Sequence, residues 1–285
     1  MKMKKVFIKK HAEEKLRYFF PWVYQNEILK TPKNIEKGEI VDIYSKSGKF
    51  LARGYINPNS KITIRVLTYK DEPINREFFK NRIKKAIEKR KIFQNITNAY
   101  RVIHSEADFL AGLIVDKYED YLTIQINTAG IERFRDTILD ILIEELKPKG
   151  IYEKSDKKSR EKEGLQTEEK VLYGSIPDRI EIVENGIKFA VYLKDSQKTG
   201  FYLDQRINRK KVAKYGKGNV LDLFSNAGGF GIYAYKNGAE FVKFVDISPN
   251  AIKHLEENIK INNVENFEIV KEDVFDFLKA ELKTG

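Results

Sequence analysis

The sequence predicts a multidomain α/β chain: an N-terminal β-barrel over residues 1–72, a linker helix and central α+β unit over 73–191, and a parallel α/β nucleotide domain from 192 to 285. Three observations lead there. Short apolar runs separated by turn residues fill 39–67, as a small barrel requires. A strongly patterned helix, then paired strands around a second helix, occupy the middle. Three further apolar runs, 219–224, 241–246 and 267–270, each lead to an acid and alternate with helical patterns, the βαβ rhythm of a parallel sheet.

Within the barrel, runs 39–44, 50–55 and 61–67 are divided by Lys46-Ser47-Gly48 and Asn57-Pro58-Asn59, residues that supply chain-reversing backbone geometries. Residues 75–94 read as a helix with Phe78, Phe79, Ile83, Ala86, Ile87 and Phe93 on one stripe and six lysines and arginines around it. Those cations are better explained as a solvated face than as an RNA contact. A second helix over 131–146 is closed by Lys147-Pro148-Lys149-Gly150. The basic cluster Lys154, Lys157, Lys158, Arg160 and Lys162 has little periodicity, so a flexible surface loop is preferred over an RNA clamp.

Composition narrows the function without naming it. The 285 residues hold 53 Lys and Arg against 42 Asp and Glu, a net charge of +11 that suits a polyanionic partner and equally a well-solvated surface. Cysteine is absent, which excludes a disulfide framework and a Cys-based metal site. The basic first ten residues precede no apolar signal core and no run reaches membrane-spanning length, so a cytoplasmic protein is expected. His104, Glu106 and Asp108 alternate along one strand face, but their loose spacing favours hydrogen bonding, and no metal is expected.

The stretch from Lys194 to Gly231 carries the most chemistry. Its strand carries Asp222 near its end and enters the turn Ser225-Asn226-Ala227-Gly228-Gly229, where glycines would let backbone N–H groups approach a ligand at a helix N-terminus. The pattern is not G-x-G-x-x-G, and Asp222 would repel a pyrophosphate, so a dinucleotide is disfavoured. S-adenosylmethionine, cationic and without phosphate, fits both points. Asp246, 24 residues after Asp222, is expected on the ribose hydroxyls, and Asp273 on the adenine amino group. Helix capping is the plainer alternative for either of the first two acids taken singly.

The segments D-S-Q-K-T-G-F-Y-L-D-Q-R and V-L-D-L-F-S-N-A-G-G-F resemble the bacterial large-subunit rRNA cytosine-C5 methyltransferases that carry an N-terminal PUA domain. Pro21-Trp22-Val23-Tyr24, Leu51-Ala52-Arg53-Gly54, Asn57, Ser60, Ile62 and Arg65 are similar to that family's PUA region, with Phe20 where it commonly has His. His104-Ser105-Glu106-Ala107-Asp108 with Gly112, and Ser155-Asp156 with Arg160, Glu163 and Gly164, are similar to its connecting domain. The likeness runs from about Lys9 to Leu278.

The resemblance implies a PUA-type barrel, a central α+β domain and a Rossmann-like methyltransferase domain acting on structured RNA; a homodimer is a further expectation the sequence leaves open. It implies cofactor contacts at Phe201, Tyr202, Asp204, Gln205 and Arg206, at Asp222, Phe224, Ser225, Asn226 and Gly228, at Asp246, Ile247 and Ser248, and at Asn258, Asp273 and Val274. Aromatic rings at 201 and 202 would attract a sulfonium by about 0.5–2 kcal/mol. RNA contacts are expected of Lys9, Lys10, Arg17, Trp22, Arg53 and Arg65.

Cytosine-C5 chemistry needs a thiolate, and the family's Asp-Pro-Pro motif and cysteine follow its cofactor strands. Neither occurs in these residues, so a fragment of a longer enzyme, lacking strands four to seven of its sheet, is expected. A methyltransferase acting on guanine N2 and a non-catalytic RNA- and cofactor-binding module are the alternatives.

Overall fold

The computed structural model describes residues 3–167, 169–196 and 199–284. Two compact units emerge, Met1–Lys91 with Arg101–Ile176, and Ile92–Tyr100 with Pro177–Gly285. No helix among the described residues is long and apolar enough to cross a membrane.

The first unit opens with β1 (Lys4–Ile8), α1 (Lys10–Arg17), β2 (Trp22–Val23), β3 (Ile28–Lys30), β4 (Glu39–Tyr44), β5 (Phe50–Ile56) and β6 (Ile64–Thr68). They form one six-stranded sheet in the order β2-β6-β5-β4-β1-β3. Its pairs are antiparallel except β1 with β4. Val6, Ile8, Val41, Ile43, Ala52 and Ile64 are fully buried in its core, together with Leu16 of α1. Both expected turns form. Gly48 takes φ +86, and the Asn57 side chain accepts the Asn59 N–H at 3.1 Å.

Next come α2 (Arg76–Arg90), β7 (Ala99–His104), β8 (Leu113–Tyr118), β9 (Tyr121–Ile126), α3 (Ala129–Glu132), α4 (Arg135–Leu146), β10 (Gly150–Lys154), α5 (Lys157–Lys162) and β11 (Glu169–Gly174). The sheet order is β11-β10-β9-β8-β7. Asn75 caps α2 by accepting the Phe78 N–H at 3.0 Å, and Phe78, Phe79, Ile83 and Ala86 are its buried stripe. The helix expected over 131–146 is broken: Phe134 leaves helical dihedrals and its ring packs 4.6 Å from that of Phe79. The loop expected around Lys157 is helical instead. Asp156 caps α5, and Arg160 is buried, donating to Glu132 at 2.8 Å and to the carbonyls of Ile126 and Gln166.

The second unit contains the hairpin β12 (Ile180–Glu184) and β13 (Ile187–Val191), then α6 (Arg206–Val212), β14 (Gly218–Leu223), α7 (Gly229–Lys236), β15 (Ala239–Val245), α8 (Pro249–Ile261), β16 (Phe267–Val270) and α9 (Val274–Thr284). Asn185 and Gly186 both have positive φ, as a two-residue hairpin turn demands. The three parallel strands lie in the order β14-β15-β16, with β14 paired only to β15 among the described residues. The hairpin, read from sequence as the end of the central unit, clusters here because α8 grips it: Asn258 and Asn262 bond to Ala190 and Lys188 of β13.

Candidate functional site

The site begins where β14 stops. Phe224, Asn226 and Gly228 all have positive φ (53°, 48° and 80°), so the chain winds through a tight turn before α7. The Ser225 N–H donates to the Val245 carbonyl at 3.1 Å, pinning this turn to the end of β15. Asp246 completes the junction: its Oδ2 accepts the Asn226 N–H and its Oδ1 the Ser248 N–H, each at 2.9 Å. A carboxylate has about four lone-pair sites, so Asp246, half-buried between two strand ends, retains acceptors for a vicinal diol.

Apolar groups flank it. Phe224, Ile247 and Phe275 are 62%, 60% and 63% exposed, and the two rings meet edge to face with centres 5.9 Å apart. Aromatic side chains so exposed at strand ends suit a flat heterocycle. Asp273 accepts the N–H groups of Phe275 and Asp276 through one oxygen, Oδ1, and so caps the start of α9. Val274 is buried against Val245 and Phe277, which confines any ligand contact from it to its backbone.

Beside the turn lies a cleft of about 200 Å³, lined by Tyr192, Asp195, Phe201, Tyr202, Asn226, Ser248 and His254 among others. Tyr192 and His254 form a stacked wall, ring centres 4.3 Å apart and 6° from parallel. Burial holds the His254 imidazole below its usual range, with the Lys253 charge adding to the effect and Asp195 and Glu257 opposing it. Of the aromatic-acidic-basic segment, Phe201 and Tyr202 reach this cleft. Asp204 is exposed, Gln205 accepts from Asn208, and Arg206 lies over the Phe93 ring at 4.2 Å. Gln197 and Lys198 lie outside the described residues.

Three expectations need correction. The Asp222 carboxylate turns inward rather than toward open space. It is 8% exposed, and its Oδ2 accepts the Gly231 N–H at 2.8 Å, inside the first turn of α7. Burial pushes its carboxyl up to about 7, partly offset by that hydrogen bond and reinforced by the charge of Asp246. Its charge is therefore no argument against a pyrophosphate, and only the missing early glycine remains one. Asn258 is likewise internal, donating to the Ala227 carbonyl at 2.9 Å and accepting the Ala190 N–H at 2.7 Å. The glycines at the turn and in the first turn of α7 serve packing first: a Cβ at Gly228 would stand 2.4 Å from Leu255, and one at Gly231 would stand 2.2 Å from the Phe244 ring.

The basic residues of the first unit divide in two. Lys9, Lys10 and Arg17 are exposed on or beside α1, with Arg17 paired to Glu13 at 2.7 Å. Arg53 and Arg65, expected at RNA, are committed internally, Arg53 to Asp42 (2.6 Å), Asp71 and the Glu72 carbonyl, and Arg65 to Glu163 (2.9 Å). Trp22, also expected at RNA, is half-buried and its indole N–H donates to Glu106 at 3.1 Å, so that edge of the ring is held within the protein. Asp108 takes a two-pronged ion pair from Arg90, so it and Glu106 act in hydrogen bonding.

Sequence reasoning did not single out Tyr192, His254, Phe275 or the buried pair Arg209–Glu184, in which both oxygens of Glu184 accept from the guanidinium at 2.8 Å. Phe275 was within reach, two residues beyond an acid already noted. The other residues meet only through tertiary folding.

Known proteins are similar to the chain over nearly its whole length. Residues 6–69 match the profile of the PUA-like domain, and residues 180–284 that of the TRM5/TYW2 methyltransferase domain. The ribosomal RNA large subunit methyltransferase I of Aliivibrio fischeri is 38% identical over 98% of the chain and 72% of its own length. Its counterpart from Vibrio cholerae is 40% identical over 97% and 70%. Among solved structures, SMU.776, provisionally assigned as a methyltransferase and determined with SAH, superposes with a TM-score of 0.86 at 26% identity, covering 99% of this chain and 73% of its own.

Proposed function

The chain belongs to the ribosomal RNA large subunit methyltransferase I family, and from that premise we propose that it serves transfer of a methyl group from S-adenosylmethionine to C5 of a cytosine in large-subunit rRNA. The family is enzymatic and its cofactor is S-adenosylmethionine. The observation that carries the cofactor reading is the Asp246 junction, a carboxylate fixed by two backbone N–H groups between strand ends and flanked by exposed Phe224, Ile247 and Phe275. The residues fit an adenosine: a diol on Asp246, an adenine against the apolar trio, and a methionine end in the cleft beside Phe201 and Tyr202.

Residues 1–72 are assigned as the PUA-like recognition barrel, the following α+β unit as the connecting domain, and the second unit as the cofactor domain. RNA is met through Lys9, Lys10 and Arg17 and through the net charge of +11, with Arg53 and Arg65 acting as internal struts. The target base leaves its stack to reach the cofactor. Ribosomal RNA as substrate makes the cytoplasm the expected location.

At cytosine C5 a thiolate adds across the 5,6 bond, C5 takes the methyl group, its proton leaves and the thiolate is expelled. None of these 285 residues is a cysteine. The cytosine assignment therefore rests on the family resemblance, while the chain's own residues support the cofactor half. Deleting the gene and comparing nucleosides of large-subunit rRNA by mass spectrometry tests it. Loss of 5-methylcytidine is expected; loss of N2-methylguanosine would move the target to an exocyclic amine, and an unchanged profile would contradict transfer.

A further inference from the structure

Arg209, on α6, is among the largest fully buried side chains of the molecule, and its partner Glu184 is buried at the end of β12. Its Nε and Nη2 donate to the two Glu184 oxygens, both at 2.8 Å, and the same carboxylate accepts the Tyr233 hydroxyl at 2.9 Å. Nη1 donates to the Tyr202 carbonyl at 3.0 Å, and the guanidinium carbon lies 4.7 Å from the Phe201 ring centre. Space for the side chain exists because residue 229 is glycine: a Cβ there would stand 3.0 Å from Arg209 Cδ. One cation thus joins the hairpin, the aromatic segment and the glycine turn.

A buried ion pair is a poor source of net stability, since desolvating both charges offsets most of their attraction. What this pair supplies is geometry. The guanidinium fork fixes its own plane on Glu184, and from that plane it fixes a backbone carbonyl and an aromatic ring that both border the cleft. A lysine, with donors radiating from one point, cannot hold all three.

We propose that Arg209 is a positioning residue for the methionine end of the cofactor: through the Tyr202 carbonyl and the Phe201 ring it sets the aromatic wall against which the sulfonium lies. The proposal rests on the cofactor reading above. Arg209 itself touches no ligand, and neither catalysis nor adenosine recognition depends on it directly.

Two variants test it. Arg209→Lys keeps the charge opposite Glu184 but gives up the fork and the planar stack; the pair Arg209→Met with Glu184→Met removes both charges and leaves no unpaired ion. Each is titrated with S-adenosylmethionine and with methylthioadenosine, which lacks the amino-acid end, alongside a thermal melt. Affinity for S-adenosylmethionine should fall about tenfold while that for methylthioadenosine stays within about twofold. Equal weakening of both ligands would mark a merely structural role and overturn the proposal, as would unchanged affinity for S-adenosylmethionine. If the double variant fails to fold, the lysine variant decides. A wild-type chain that binds no S-adenosylmethionine would overturn the cofactor reading itself and the proposal with it, whereas wild-type binding with unaffected variants overturns the proposal alone.

Discussion

Asp246 and Asp222 end consecutive strands of one sheet, yet their environments give them opposite tasks. Asp246 is half-buried, anchored by Asn226 and Ser248, and keeps acceptor capacity toward solvent. Replacing it with Ala removes hydrogen bonds from a charged acceptor, about 1.5–3 kcal/mol, so affinity for S-adenosylhomocysteine should fall at least about tenfold in a calorimetric titration. Asp222 is raised from the ordinary carboxylate range to about 7 by burial. A folded-state value above the unfolded one means its contribution to stability is present below the unfolded value and is lost as pH rises through about 7. Between pH 4 and 7 the wild type should therefore lose up to about 1.4 kcal/mol per pH unit relative to Asp222→Asn. Melting temperatures of the two proteins across that range, if parallel, would contradict the inward role of Asp222.

At the scale of elements, the grip of α8 on the hairpin organises the cofactor domain. Asn258→Ala would strand the buried Ala190 N–H and Ala227 carbonyl, costing about 1–3 kcal/mol for each group, and denaturant unfolding should register the loss. Gly231→Ala should be at least as damaging, because the Phe244 ring occupies the space of the new Cβ. Most elements were legible in sequence, since their signals are local: β16 matches its expected bounds, Asn75 and the turns at Gly48 and Asn57 act as their residue types require, and the acid after β15 lies at the strand-end junction. What escaped was set by distant partners. Nothing near Asp222 in sequence says its carboxylate turns toward Gly231, and nothing near Arg53 or Arg65 announces Asp42 or Glu163. Charge in a sequence says that a partner exists; the fold decides whether it is RNA or another side chain.

Across the whole molecule, each of the two units is held by its own contacts. In the first, Glu163 ties the six-stranded sheet to the start of α3: it accepts from Asn57 at 2.8 Å and Arg65 at 2.9 Å on one side and from the Ala129 N–H on the other. That makes the first unit one compact body, with Lys9 and Lys10 exposed on its surface. Removing charge at Lys9 and Lys10 should weaken RNA binding and lower its salt slope by roughly 0.7–0.9 for each phosphate no longer neutralised, with cofactor affinity unchanged. An unaltered salt slope would exclude these lysines from the RNA surface. In the second unit, β14 and β15 bring together the junction proposed as the cofactor site. Its most direct test is calorimetric titration of the chain with S-adenosylhomocysteine, in the wild type and in Asp246→Ala. A saturating isotherm that collapses in the variant is expected; absence of binding by the wild type, or equal binding by both, would contradict the assignment of this junction as the cofactor site.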